Sequence, residues 1–500
     1  MKKNILASLC LLIMLAGFSS CSDFLDRQPL DQVDSGAFWK TTKDADKGLA
    51  AVYACFRNGT FSAVPAGGPC VELECLSDNA VTRGAHAAIQ RGNISASTGG
   101  ILNDMWKHSF AGVSAANYFL DNFDRVKDLY SDAGYKKMRA EALFLRAYFY
   151  DELVLHYGDV PLMTKYVTLN DVPYNKTPRT ARTEVVKQMN EDIDYAITNL
   201  PDIAYTDGHA VMGSAIVLKC RILLNDQKYE ETAKLAGDYI HSSTNPFRLA
   251  DDFAGIFFGR QANNPEIMFS IQFTAPDDFH ALDQMAGSRM TIFPSLNLRA
   301  AYEDGDPRIK MTMYELGDPW ASNDKSGLFE ENGNRAEGTI PFTNMAFKKY
   351  MNPTVMSPKA STLSDQHFVK MRYADLLLMY AEAMFESGQG SDPRALTALN
   401  AVRQRTGVNM SPKTELTREI IRNERRVELA YEGIRYYDII RWDIAKDVVP
   451  TVVYNTGGSK RKFDGNLWPI PQPDGYHGRC LAAELWILTI ISVYRIFGLA

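Results

Sequence analysis

Apolar residues in this chain recur at three-to-four-residue spacing, in paired segments joined by short polar turns. That period lays one stripe along an α-helix, and a helix with a single stripe must bury it against a neighbour. From Tyr135 to Tyr157 the stripe is Ala142, Leu145, Phe149 and Leu153, and Gly158 with Pro161 stops the element. Over residues 184–200 it is Met189, Ile193, Ala196, Ile197 and Leu200, ended by Pro201. Ala215, Leu218 and Ile222 make a third stripe, Asn225 to Lys228 a polar turn, and Ala233, Ala236 and Ile240 a fourth. This hairpin approximates a tetratricopeptide unit, with the step from Tyr229 to Ala233 one residue longer than the consensus. Later, Ala374, Leu377, Leu378, Ala381 and Met384 line a helix ending near Gly388 and Gly390, and Ala395, Leu399 and Val402 begin its antiparallel partner. The expected architecture is mainly α, a stack of helical hairpins presenting a curved surface. Between the hairpins, residues 58–104 and 245–365 are rich in Gly, Pro, Asn and Asp with interleaved aromatics, and read as long loops with short strands. Glu266 to Ile271 alternates weakly enough to suggest one buried strand there. Loops of this length in a compact body are typically functional.

The N-terminus sets the compartment. Lys2 and Lys3 precede an apolar run from Ile5 to Leu15 and the small residues Ala16, Gly17, Ser19 and Ser20, followed by Cys21. A charged start, an apolar stretch too short to span a bilayer and a small-residue site mark an export signal, with Cys21 as the lipidated first residue of the mature chain. Several acyl chains on one cysteine anchor firmly, at roughly 0.8 kcal/mol per buried methylene. Asp23 and Asp26 follow closely, a spacing compatible with surface export.

Loss of residues 1–20 removes two lysines and no acid, shifting the formal charge from -6 to -8. A mildly acidic chain without a basic stripe argues against a nucleic-acid partner. Of seven cysteines, Cys10 leaves with the signal and Cys21 is lipidated; the remaining five do not make a disulfide framework, though Cys70 and Cys75 are close enough to form a local bridge. No zinc helix, nucleophile elbow, phosphate loop or dinucleotide fingerprint is present, so no cofactor or metal is expected.

Several segments together resemble the SusD/RagB family of surface lipoproteins. They are Arg146-Ala-Tyr-Phe-Tyr with Tyr157-Gly-Asp-Val-Pro-Leu162, Arg372-Tyr-Ala-Asp-Leu-Leu-Leu-Met-Tyr-Ala-Glu-Ala383, and Leu399-Asn-Ala-Val-Arg-Gln-Arg405. Glu424-Arg-Arg-Val-Glu-Leu-Ala-Tyr-Glu-Gly433, running into Arg435, Asp438, Arg441 and Trp442, and Leu467-Trp-Pro-Ile-Pro-Gln472 complete the set. The resemblance implies an α-rich SusD-like fold of four tetratricopeptide-like hairpins with an irregular lobe. It also implies non-catalytic capture of nutrients for a SusC-like TonB-dependent transporter in the outer membrane. The expected divisions are a signal peptide (1–20), an N-terminal helical region (21–244), a loop-rich lobe (245–365), a C-terminal helical region (366–472) and an atypical apolar tail (473–500).

Glu424, Glu428 and Glu432 stack three like charges along one helix face, which requires cations from outside that row. Arg425, Arg426, Arg435 and Arg441 are close at hand, and an ion-pair network outweighs an acid–base pair as the reading. Arg146, within an apolar helix, reads as a paired buried cation. Asp304 and Asp306 sit in a segment with too few oxygen ligands for calcium and read as a turn.

A protein that holds glycans needs exposed aromatic platforms flanked by polar groups, because a sugar ring has an apolar face and a hydroxyl rim. Of six tryptophans, Trp39, Trp442 and Trp468 fall in motifs that look like family core positions, and Trp486 lies in the tail. Trp320, in the loop Gly317-Asp-Pro-Trp-Ala-Ser-Asn-Asp324, is the first ligand candidate. Asp78, Asn79 and Arg83, with Trp106 beyond them, are the second, and Tyr302 and Tyr314 the third.

From Leu481 to Ala500 the chain departs from the family's polar ending in an apolar stretch broken by Glu484 and Arg495, and residues from about 473 onward read as out of frame. The expected function is capture of polysaccharide or oligosaccharide by a lipid-anchored protein of the outer membrane, with a glycan and the transporter as partners. Peptide capture and a lipid-anchored protein-binding scaffold are the alternatives, and an enzyme is the least favoured.

Overall fold

A computed structural model describes residues 38–57, 73–82, 89, 91–167, 177–257, 263–280, 282, 292–322, 325–328, 343–351 and 364–471. Helix α1 (Thr42–Ala54) starts from a capping box in which Thr41 Oγ1 accepts from Asp44 N–H and the Asp44 carboxylate accepts from Thr41 N–H. Strand β1 (Ala80–Thr82) follows, then the long helices α2 (Ile101–Phe123) and α3 (Asp132–Tyr157). Helix α2 begins inside the stretch expected to be loop up to residue 104. Ser131 Oγ accepts Gly134 N–H at 3.1 Å to open α3. Gly158 closes it at φ +72°, a left-handed turn in which a Cβ would be strained.

Helices α4 (Arg182–Asn199), α5 (Met212–Asn225) and α6 (Tyr229–Ile240) continue the stack: α3 packs on α2 and α4, and α5 on α4 and α6. The expected stripe of α3 is fully buried, with Ala142, Leu145, Phe149 and Leu153 each 0% exposed. Burying each of the large members stabilises the fold by roughly 1.5–3 kcal/mol.

Next come β2 (Ile267–Ile271), β3 (Ile292–Pro294), α7 (Leu296–Ala301), α8 (Arg308–Thr312), β4 (Met313–Glu315), β5 (Pro319–Ser322), β6 (Lys325–Leu328) and β7 (Met345–Phe347). The C-terminal part comprises β8 (Phe368–Arg372), α9 (Tyr373–Met384), α10 (Pro393–Gln404), α11 (Arg418–Glu428), α12 (Arg435–Arg441) and α13 (Ala445–Val448). All described strands pair in antiparallel twos: β1 with β3, β2 with β8, β4 with β7, and β5 with β6. The strand expected near residue 267 is therefore present and buried throughout, and its partner β8 runs straight into α9. Pairs this small cannot bury a face alone. They fasten the irregular segments to the helices instead. Helix α9 is buried on every face, because α5, α6, α10, α11 and β8 all pack around it. The architecture is the mainly helical, SusD-like one expected.

Among the described residues no helix is long and apolar enough to cross a membrane. Cys55 and Cys220 are buried free thiols. Cys75 is also buried, while Cys21, Cys70 and the tail from 473 lie outside the described residues.

Candidate functional site

The row of glutamates resolves into a buried charge core. Arg308 donates to Glu424 at 2.7 Å and to Glu428 at 2.8 Å, and holds Asp306 as well. Arg372 reaches Glu266, Glu428 and Glu432, each at 2.7 Å, while Arg403 takes Glu424 at 2.6 Å. Arg405 joins Glu266 and Glu428, and Lys349 donates to Glu432 at 2.6 Å. Burial alone would raise the Glu428 carboxyl, but Arg405, Arg372 and Arg308 outweigh it and hold it well below the ordinary value. The network reading of these acids stands, with two corrections: α11 ends at Glu428, so Glu432 lies in the turn beyond it and not on the same helix face, and the partners differ. Arg425 pairs with Asp375 and Asp438, Arg426 and Arg435 with Asp78, and Arg441 with Glu382 and Asp438. Helix geometry is the reason: at 100° per residue, Arg425 and Arg426 point away from the face that carries Glu424 and Glu428.

Arg146 is paired as expected, Nε and Nη2 each donating to Asp192 at 2.7 Å. Asp306 accepts three bonds from the Arg308 guanidinium and one from its backbone N–H, which commits it to the interior. Among the described residues no cluster of three or more His, Cys, Asp or Glu could hold a metal.

The ligand candidates fare differently. Asp78 is 2% exposed; Arg435 donates to both its oxygens at 2.8 and 3.0 Å, and Arg426 lies at 2.9 Å. Burial pushes its carboxyl up, yet the two guanidinium groups prevail and set it at about 2. Asn79 is fully buried, donating to Glu74 at 2.8 Å and accepting from Arg426 at 2.9 Å. Both residues lead into β1, whose pairing with β3 carries their polar atoms toward α11 and α12. They are corrected from loop contacts to interior ties.

Tyr302 is corrected likewise: it is buried and its hydroxyl donates to the Val427 carbonyl at 3.1 Å. Tyr314 is buried too, with Lys348 Nζ 4.8 Å above its ring. Trp106 is half-buried at the start of α2, 4.8 Å from the Phe110 ring and 5.0 Å from Tyr157. Trp320 stands in β5, set by the register opposite Gly327 of β6. Arg83 and Cys21 lie outside the described residues. Trp39, Trp442 and Trp468 are buried, in keeping with core positions.

A cleft absent from the sequence expectations opens between α1, the loop joining α4 to α5, and the end of β2. It encloses about 220 Å³ and is lined by Tyr53, Arg57, Asp207, Gly208, His209 and Gln272 among others. Its fixed point is Glu141, 1% exposed, whose Oε2 accepts from Tyr53 Oη and meets His209 Nδ1, each at 2.7 Å. The bond to Glu141 raises the His209 pKa above its ordinary value, against partial desolvation. Phe279, 38% exposed, follows Asp278, which Arg57 grips at 2.8 Å. The only local signal for this site was the turn-forming run Asp207-Gly208-His209 between two stripes.

Two family models match the chain. One, described as starch-binding associating with outer membrane, covers residues 23–222, and the other, the SusD family, covers residues 283–473. SusD-like protein P2 of Formosa agariphila is 24% identical over 95% of this chain and 97% of its own. A SusD-like carbohydrate binding protein from Bacteroides fragilis superposes with a TM-score of 0.74 at 24% identity, over 87% of this chain and 98% of that one. A laminarin binding SusD-like protein superposes with a TM-score of 0.71 at 23% identity, over 86% and 96%. These structural likenesses establish the fold. With models matching both its N-terminal and its C-terminal parts, and relatives aligned over nearly its full length, the chain belongs to the SusD/RagB family.

Proposed function

We propose that this chain is a non-catalytic surface lipoprotein that binds polysaccharide or oligosaccharide and passes it to a SusC-like TonB-dependent transporter in the outer membrane. The observation that carries the reading is the match of residues 23–222 to a model described as starch-binding associating with outer membrane. The names of two structural neighbours, one carbohydrate binding and one laminarin binding, point the same way. Cys21 is the proposed attachment point for lipid. Trp320, Arg83 and the half-buried Trp106 are the proposed contacts, and several shallow contacts of this kind suit an extended polymer. Glu424, Glu428 and Glu432 supply no acid–base pair, since each is buried against guanidinium or ammonium groups.

Calorimetry of the detergent-solubilised protein against a glycan panel and a peptide library tests the reading. A glycan is expected to bind, with Trp320→Ala weakening it about tenfold, the equivalent of ~1.4 kcal/mol. Binding of peptides alone, or cleavage of a glycan by the purified protein, would overturn it. Labelling with palmitate is expected to be lost in Cys21→Ser.

A further inference from the structure

We infer that the cleft beside Glu141 is a subsite for an uncharged sugar ring, an inference that rests on the glycan-capture reading. Its polar groups are held from behind by buried partners. Tyr53 Oη donates to Glu141 and accepts the Ala210 N–H at 2.8 Å, so one carboxylate and one hydroxyl fix the loop that carries His209. The His209 side chain is nonetheless 47% exposed. Asp207, exposed, accepts the His209 backbone N–H at 3.1 Å and turns the loop. Gly208 adopts φ +87°, and a Cβ there would stand 3.0 Å from the Gln272 side chain. The loop therefore approaches Gln272 as only glycine permits. At the other end Arg57 is 33% exposed beside Asp278.

Two features select the ligand class. The cleft is lined by both donors and acceptors: a carboxylate, an imidazole, an amide and a guanidinium. Vicinal hydroxyls can both donate to and accept from such a set. The cations are already neutralised, Arg57 by Asp278 and His209 by Glu141, while Asp207 adds a further exposed carboxylate. A uronate or sulfate would meet repulsion from Asp207, while both cations lining the cleft are already paired and Lys137, 3.8 Å from the same Glu141, lies outside that lining. Phe279, 38% exposed, follows Asp278, the partner of Arg57, and is the ring proposed to take the apolar side of a sugar.

Calorimetry of the solubilised full-length protein with maltohexaose, laminarihexaose and cellohexaose, and with hexagalacturonate as the charged counterpart, tests this. One neutral hexaose is expected to bind, and Gln272→Ala and Phe279→Ala to weaken it about fivefold each with the melting temperature unchanged. Asp207→Asn is expected to raise the affinity for hexagalacturonate about threefold. Neutral binding unaltered in both cleft variants, yet reduced in Trp320→Ala, overturns the subsite and leaves glycan capture standing. Tighter wild-type binding of hexagalacturonate than of every neutral hexaose, lost in Arg57→Ala, overturns the uncharged class. Absence of binding to any oligosaccharide overturns the glycan reading and the subsite together.

Discussion

Glu428 and His209 both hold charge partners, but their surroundings differ. Glu428 is fully buried and meets Arg308, Arg372 and Arg405, in a core that draws on α8, β8, α10, α11 and Glu266 just before β2. His209 meets one buried carboxylate and leaves nearly half its side chain in solvent. The first arrangement spends all its hydrogen-bonding capacity inside the protein, so it can hold segments together but cannot bind anything else. The second is fixed on one side and open on the other, the condition for a ligand contact. Burial and the number of partners, rather than residue type, separate scaffold from site.

The largest effect should come from breaking the first arrangement. Arg372→Met leaves Glu266, Glu428 and Glu432 short of a cation and is expected to lower stability by about 3–5 kcal/mol in urea unfolding. A loss below about 1 kcal/mol would show that the charge core is not what binds β8 to its surroundings.

Acid titration is the next test. Glu428 and Asp78 both have folded pKa values below the ordinary carboxylate range, Asp78 at about 2. A depressed value contributes stability above the unfolded pKa of about 4, lost as pH falls through the folded value. Stability should therefore decline between about pH 4 and pH 2, with Asp78→Asn removing about 2 kcal/mol of that dependence. A profile flat to pH 2 would contradict the pairing.

Smallest is the exposed pair. The folded pKa of His209 is raised, so its contribution is complete below the ordinary histidine value of about 6.5 and fades as pH rises through the folded value. Groups facing it are Glu141, Asp207, Lys137 and Tyr53. His209→Gln is expected to cost less than about 1 kcal/mol at pH 6 and nothing measurable at pH 9, by thermal melting. An equal cost at both pH values would remove the charge from the interaction.

The helices were readable because their signal is local. The stripe of α3, its stop at Gly158 and the polar turn before Tyr229 all act within a few residues, and β2 was visible as a weak alternation from Glu266 to Ile271. The charge core was half readable. Three glutamates at four-residue spacing announced that cations must arrive, yet the partners that came were Arg308, Arg372, Arg403, Arg405 and Lys349, not the arginines of the same helix. The candidate contacts were least readable. Asp78 and Tyr302 carry polar atoms that suit a ligand, and only their burial shows where those atoms are used.

By itself the sequence determined the helical hairpins, the buried strand at Ile267 and the family, because periodicity, turn chemistry and motif order are properties of neighbours along the chain. Tertiary structure alone decided which polar groups face solvent. It did so by joining residues as distant as Tyr53, His209 and Gln272 in one cleft, with Glu141 buried behind it, since the field, the desolvation and the partners of a side chain are set by what folds around it.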